Sequence, residues 1–205
     1  GHADLEELAR HSRVPVINGL TDLDHPCQVV TDRFTVFERK ERPFETRWSY
    51  VGEARGTANG LVALAALADI ELALALPDGN GLDAKTLARA RASGARITVG
   101  ADPVAAVRGA GVVSTDAWSS LGGLDAAALA ARIAALMPFQ VNDALLSHAA
   151  DDAVVLHPLP ARRDLEITDD ALEGMHSVAF HQAGNRLCVQ QALLEWLLGV
   201  PTEAL

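Results

Sequence analysis

Two spacings of hydrophobic residues alternate along this chain. Short apolar runs occupy Val14–Ile17, Arg47–Val51, Glu71–Leu76, Ala95–Val99, Gly111–Thr115 and Ala153–His157, and each predicts a strand. Between them the apolar positions recur at helical spacing. They predict helices over Asp4–His11, His25–Arg39, Gly56–Asp69, Asp83–Ser93, Pro103–Arg108 and Asp125–Leu136, with a short one near Asn142–Ala149. A long helix, roughly Ala183–Leu198, follows the last strand. This alternation predicts an α/β fold, a parallel sheet with helices on both faces, Rossmann-like in its central part. Ligands in such folds gather beyond the carboxyl ends of the strands, so the loops that follow strands are where chemistry is expected.

The charged segment Glu38–Phe44 reads as a linker, and Pro158 and Pro160 interrupt the chain before its final helix. The expected division is 1–43, 44–157 and 158–205. The central piece is expected to form one lobe, with the two flanking pieces belonging together.

Composition narrows the function classes. Of 205 residues, 49% are hydrophobic and only 4% aromatic, so the core is aliphatic. A net charge of -10, with the 17 Lys and Arg forming no long basic run, speaks against a nucleic-acid surface. The longest apolar run, Leu61–Ala68, is far too short for a bilayer span. Cys27 and Cys188 are not arranged as C-x-x-C and read as reduced thiols of a cytoplasmic protein. His148, His176 and His181 have no partner at metal-ligand spacing, and neither H-E-x-x-H nor G-x-S-x-G occurs. Zinc-hydrolase and serine-hydrolase readings therefore fall away.

Several residues stand where chemistry belongs. His25 and Gln28 fall at a helix start, where unpaired N–H groups favour anions; an imidazole and a carboxamide one turn apart add uncharged hydrogen-bonding groups. Three polar loops follow strands: residues 52–59, 116–123 and 157–163. Gly52-x-x-x-Gly56 matches no nucleotide fingerprint and reads first as a tight strand-to-helix turn. Asp116 could hold a cationic amine or cap a turn, with Ser120 in reach of the same ligand, while Trp118 reads as a packing residue. His157 could be structural or catalytic, and Pro158 and Pro160 should hold the backbone after it extended, with carbonyls available to an –NH2 group. Arg186 is either a solvated surface residue or an anion-binding fork.

In order, V-P-V-I-N-G-L-T-D, H-P-C-Q, G-E-A-R, D-A-W-S-S-L-G, H-P-L-P-A and Q-A-G-N-R-L resemble the landmarks of the carbamoyltransferases over essentially the whole chain. The ornithine-type branch is the most similar, and the resemblance implies that 44–157 is the acceptor-binding domain and that 1–43 and 158–205 are the remnant of a second α/β domain, which binds carbamoyl phosphate. The resemblance implies transfer of a carbamoyl group from carbamoyl phosphate to the amine of an amino acid, without metal or cofactor, by a homotrimer. It implies that His25 and Gln28 contact the carbamoyl group, that Arg186 contacts carbamoyl phosphate, and that the Leu159 backbone receives the carbamoyl amine. It assigns Asp116, Ser120 and Leu121 to the acceptor, ornithine first, with Leu121 where methionine is usual. The alternatives are another acceptor, such as aspartate or a specialised amine, or a non-catalytic amino-acid-binding member. Three departures bear on the choice. No S-T-R-T-R phosphate loop occurs, and since Gly1-His2-Ala3 resembles internal family sequence, that loop is expected upstream, leaving these residues alone with negligible activity. Arg55 and Gly56 stand where the ornithine enzyme usually has two asparagines, and Pro158 stands where it has cysteine, as in the aspartate enzyme.

Overall fold

A computed structural model describes residues 1–77, 81–118 and 122–199. Five strands, β1 (Trp48–Val51), β2 (Leu72–Ala75), β3 (Ile97–Gly100), β4 (Val112–Ser114) and β5 (Val154–Leu156), form one parallel sheet in the order β3-β2-β1-β4-β5. The predicted strands at these places are therefore present, β1, β2, β4 and β5 shorter than expected and β3 shifted to run one residue further, to Gly100.

Side chains alternate across the sheet as the pleat demands. Trp48, Tyr50, Leu72, Leu74 and Leu156 face one core, packed against α2 (Pro26–Arg39), α3 (Gly56–Ala68) and α4 (Ala84–Ala92). Val51, Ala73, Ala75, Val113 and Val155 face the other, against α5 (Pro103–Val107), α7 (Asp143–Leu146) and α8 (Asp169–Glu173). Bulk thus goes to the first face, while alanines on the second let α5 sit close to β1 and β2. Strand β3 lies at an edge and alternates between half-buried and exposed residues.

Helix starts follow local chemistry. Asp83, Asp102, Asp125, Asn142 and Thr168 accept backbone N–H bonds at the starts of α4, α5, α6 (Ala126–Leu136), α7 and α8. The starts of α2 and α3, at His25 and Arg55, have no side-chain cap.

Helix α1 (His2–His11) precedes α2, and α9 (Ala179–Leu197) packs along α2. The seam between α2 and α9 is polar although buried. Asn185 donates to Thr35 Oγ1 (3.0 Å) and Glu38 Oε2 (2.6 Å), and Gln182 donates to Asp32 Oδ1 (2.6 Å). At the far end of α2, the buried Lys40 donates to the carbonyl and carboxylate of Asp152, both at 2.6 Å, just before β5.

Four expectations need correction. Val14–Ile17 is not a strand: no neighbour among the described residues pairs with it, and Val14 is 70% exposed. An apolar run becomes a strand only where a ladder satisfies its backbone. The backbone after His157 is not uniformly extended, because Leu159 adopts a left-handed φ of +54° and the Leu159–Pro160 peptide is cis. Helix α9 starts four residues earlier than its periodicity suggests, and α8, whose only apolar residues are Ala171 and Leu172, is an element the spacing does not predict.

Candidate active site

The strand order reverses at β1: the chain leaves it for β2 and β3, then returns on its other side at β4. A crevice at the carboxyl ends of β1 and β4 follows from that reversal. Gly52, at the end of β1, has φ +140°, and a Cβ there would stand 3.3 Å from Thr115 Oγ1, so glycine is what the turn admits. Thr115 Oγ1 donates to the Val51 carbonyl at 2.7 Å and locks the two strand ends together. Across the crevice Thr57 Oγ1, buried in the first turn of α3, donates to Asp116 Oδ2 at 2.6 Å. Asp116 Oδ1 accepts from the Ala117 N–H at 2.7 Å. The carboxylate expected to meet an amine is therefore fixed from both loops.

The 21–25 segment abuts this crevice. A Cβ on Gly56 would lie 3.5 Å from the Thr21 carbonyl and 3.6 Å from the His25 nitrogen, so the start of α3 fits closely beneath the start of α2. The Gly52–Gly56 spacing serves this turn and close approach. His25 is buried, with Nδ1 unpartnered among the described residues. Burial and the nearby Arg186 guanidinium hold its pKa below the usual imidazole range, so the ring is neutral at physiological pH. Arg186 forms no hydrogen bond or ion pair among the described residues, yet acts electrostatically on His25, Cys27 and Asp32. Asp116 acts on His25 and Asp32 as well. Four residues expected at a site, His25, Gln28, Asp116 and Arg186, are thus brought together from α2, the loop after β4, and α9.

His157 has a structural position. It is fully buried; Nδ1 accepts from the Leu159 N–H at 2.9 Å, which leaves Nε2 protonated and donating to Glu166 Oε1 at 3.2 Å. Glu166 also accepts from the Arg162 N–H, and Arg162 Nη1 donates to the Trp118 carbonyl at 3.0 Å. Trp118 is fully buried against Leu129, Ile133, Leu136 and Leu165, a packing residue as expected. Ser120 and Leu121 lie outside the described residues.

Three residues that sequence reasoning missed complete the arrangement. Thr57 holds Asp116; Asp32 and Gln182 lie behind Gln28. Asp32 Oδ1 accepts from Gln28 Nε2 at 2.7 Å and from Gln182 Nε2 at 2.6 Å. Burial pushes the Asp32 carboxyl up to about 7, against the lowering effect of these two donors. Their sequence signal is faint: Asp32 lies four residues after Gln28, and Gln182 four before Arg186. Beside the crevice a cleft of about 450 Å³ is lined by Asp22, Glu53, Arg55, Asn59, Asp83 and Arg132, among others. Arg132 Nη2 donates to the buried Glu53 at 2.7 Å there. Among the described residues no group of three or more His, Cys, Asp or Glu side chains could hold a metal ion. No helix among them is long and apolar enough to cross a membrane.

Residues 45–197 match the model of the aspartate/ornithine carbamoyltransferase Asp/Orn-binding domain, and residues 1–38 that of the same family's carbamoyl-P-binding domain. The chain belongs to the aspartate/ornithine carbamoyltransferase family. It is 41% identical over 202 residues to the ornithine carbamoyltransferase of Archaeoglobus fulgidus, an alignment covering 98% of this chain and 65% of that protein. It is 45% identical over 197 residues to the anabolic ornithine carbamoyltransferase of Pseudomonas aeruginosa, covering 96% of this chain and 63% of that one. The chain thus spans slightly less than two thirds of the length of these curated relatives. Among solved structures, the ornithine carbamoyltransferase of Pyrococcus furiosus superimposes with a TM-score of 0.91 at 38% identity, over 98% of this chain and 65% of that one. That of Gloeobacter violaceus gives 0.85 at 38% identity, over 96% and 67%. Family membership accounts for the α/β sheet and for the order of the six sequence landmarks.

Proposed function

We propose that this carbamoyltransferase chain serves transfer of a carbamoyl group from carbamoyl phosphate to L-ornithine, giving L-citrulline and phosphate. The observation that carries it is the meeting of His25, Gln28, Arg186 and Asp116 at the crevice between β1 and β4. Relatives at 41% and 45% identity named for ornithine support that acceptor over aspartate, despite Arg55, Gly56 and Pro158.

In the proposed reaction the neutral acceptor amine attacks the carbamoyl carbon. A C–N bond forms, the carbon–oxygen bond to the phosphate breaks, and the proton the amine loses goes to the departing phosphate. His25 is suited to polarise the carbonyl as a neutral N–H donor, because an imidazolium beside Arg186 is disfavoured. Arg186, with no protein partner among the described residues, is suited to hold the phosphoryl group as a fork. Gln28 and the Leu159 carbonyl would take the carbamoyl –NH2. Asp116, with Ser120 and Leu121, would hold the acceptor so that its reacting amine meets that carbon.

The domain division is part of the proposal: 1–43 and 158–205 belong to the carbamoyl phosphate side and 44–157 to the acceptor side, with α9 packed on α2 as its support. A homotrimer and a cytoplasmic site of action are proposed with it. The test is the gene product that contains this chain, given carbamoyl phosphate and a panel of amines. Citrulline from ornithine, with aspartate at least tenfold poorer, is the expected result; light scattering of the same sample should give three chains. No ureido product from any amine would overturn the proposal.

A further inference from the structure

Behind Gln28 lies a hydrogen-bonded set that the reaction as described does not use. Asp32 is fully buried, and one of its oxygens accepts from the carboxamides of both Gln28 and Gln182. The carboxamide oxygen of Gln182 in turn accepts from the His157 backbone N–H at 2.9 Å, at the root of the Leu159 loop. Gln182 is itself fully buried, as is Gln28. A buried carboxylate, a strand end and two helices are therefore joined through two glutamines.

The orientation of Gln28 follows from donor and acceptor chemistry. Asp32 Oδ1 accepts whether the carboxyl is ionised or carries its proton on Oδ2, so the carboxamide beside it turns its –NH2 inward. That leaves Gln28 Oε1 as the outward group, and this atom is buried without a hydrogen-bond partner among the described residues. A buried unpaired acceptor is costly, and a ligand N–H would satisfy it. Without Asp32 the amide could rotate by half a turn and present –NH2 instead, a group that repels the carbamoyl –NH2.

We propose that Asp32 and Gln182 are positioning residues that fix the Gln28 carboxamide with its oxygen toward the carbamoyl –NH2 and tie it to the His157–Leu159 loop. The inference rests on the carbamoyl phosphate reading of the site and deepens it. Selection at this point is for an N–H donor on the donor substrate. Acetyl phosphate, with a methyl group in place of the amine, should therefore bind poorly, because it leaves the Gln28 oxygen unpaired.

The experiment is calorimetric binding of carbamoyl phosphate and acetyl phosphate to the gene product and to its Asp32→Ala, Asp32→Asn and Gln182→Met variants. The wild type should prefer carbamoyl phosphate by about tenfold or more, the size of one hydrogen bond to a buried acceptor. In Asp32→Ala and Gln182→Met the ratio should fall to within about threefold. Asp32→Asn keeps an acceptor oxygen and should retain an intermediate preference. A ratio is insensitive to the fraction of protein that is folded, so a general loss of stability would leave it unchanged. An undiminished ratio in both Asp32→Ala and Gln182→Met overturns the proposal, as does equal binding of the two phosphates by the wild type. Failure of the wild type to bind either one overturns the functional reading together with the proposal.

Discussion

At Asp32, burial and ionisation oppose one another. Its carboxyl is raised from 3.8 to about 7, chiefly by burial, with Gln28, Gln182 and Arg186 lowering it and Asp116 raising it. Between those two values the folded protein holds a proton that the unfolded chain has lost. Stability therefore falls as pH rises from about 4 to about 7 and levels off above, by at most about 4 kcal/mol. Asp32→Asn removes that dependence. Denaturant unfolding at pH 5 and pH 7.5 should show the variant gaining on the wild type with rising pH; parallel changes in the two proteins would contradict this origin. Residues of this kind were hard to read from sequence. His25, Gln28 and Asp116 sit at a helix start or a strand end and announced themselves, and Arg186, inside α9, was legible through the Q-A-G-N-R-L run, but an aspartate four residues after a glutamine looks the same on a solvated helix face as in a buried one. Thr57, within the polar loop 52–59, and Gln182, opening the Q-A-G-N-R-L run, gave only a faint signal, since their tertiary partners are what make them consequential.

At the scale of elements, the approach of α3 to α2 depends on Gly60. A Cβ at that position would come within 2.8 Å of both Val29 Cγ1 and Asp24 Oδ1. Val29 is buried in the core and Asp24 belongs to the turn that leads into His25, so neither can yield freely. Gly60→Ala should cost about 1–3 kcal/mol by overpacking, although alanine is the better helix former by about 1 kcal/mol. Chemical denaturation checks the sign: a stabilised variant would mean that the two helices separate without cost. Most elements were legible from spacing, because β1, β2, β4 and β5 are apolar runs bounded by turn residues and the capped helices carry Asp, Asn or Thr at their starts. Val14–Ile17 has the composition of a strand and no ladder to join, and α8, although capped by Thr168, has only Ala171 and Leu172 as apolar residues to mark it. The α2–α9 seam was illegible for another reason: its contacts are two carboxamides, a threonine and two carboxylates, which amphipathic reasoning assigns to the outside.

Across the whole molecule, distant parts of the chain are held by a few buried polar contacts as well as by the sheet. Lys40, its side chain only 5% exposed, reaches Asp152 from the end of α2 and so ties the first segment to the approach to β5. Lys40→Met keeps most of the apolar stem but leaves the Asp152 carbonyl without its donor. A loss of about 1–3 kcal/mol in unfolding free energy is expected, and an unchanged denaturation midpoint would show the contact to be dispensable. At this scale the sequence by itself determined a parallel α/β sheet and which polar loops follow its strands, because hydrophobic spacing and turn residues are local properties. Tertiary structure alone decided that His25 and Gln28, the loop after β4 and the face of α9 meet at one crevice, and that Asp32 and Gln182 stand behind them. Burial, charge environment and hydrogen-bond partners are set by segments about 150 residues apart in the chain, and no local pattern encodes them.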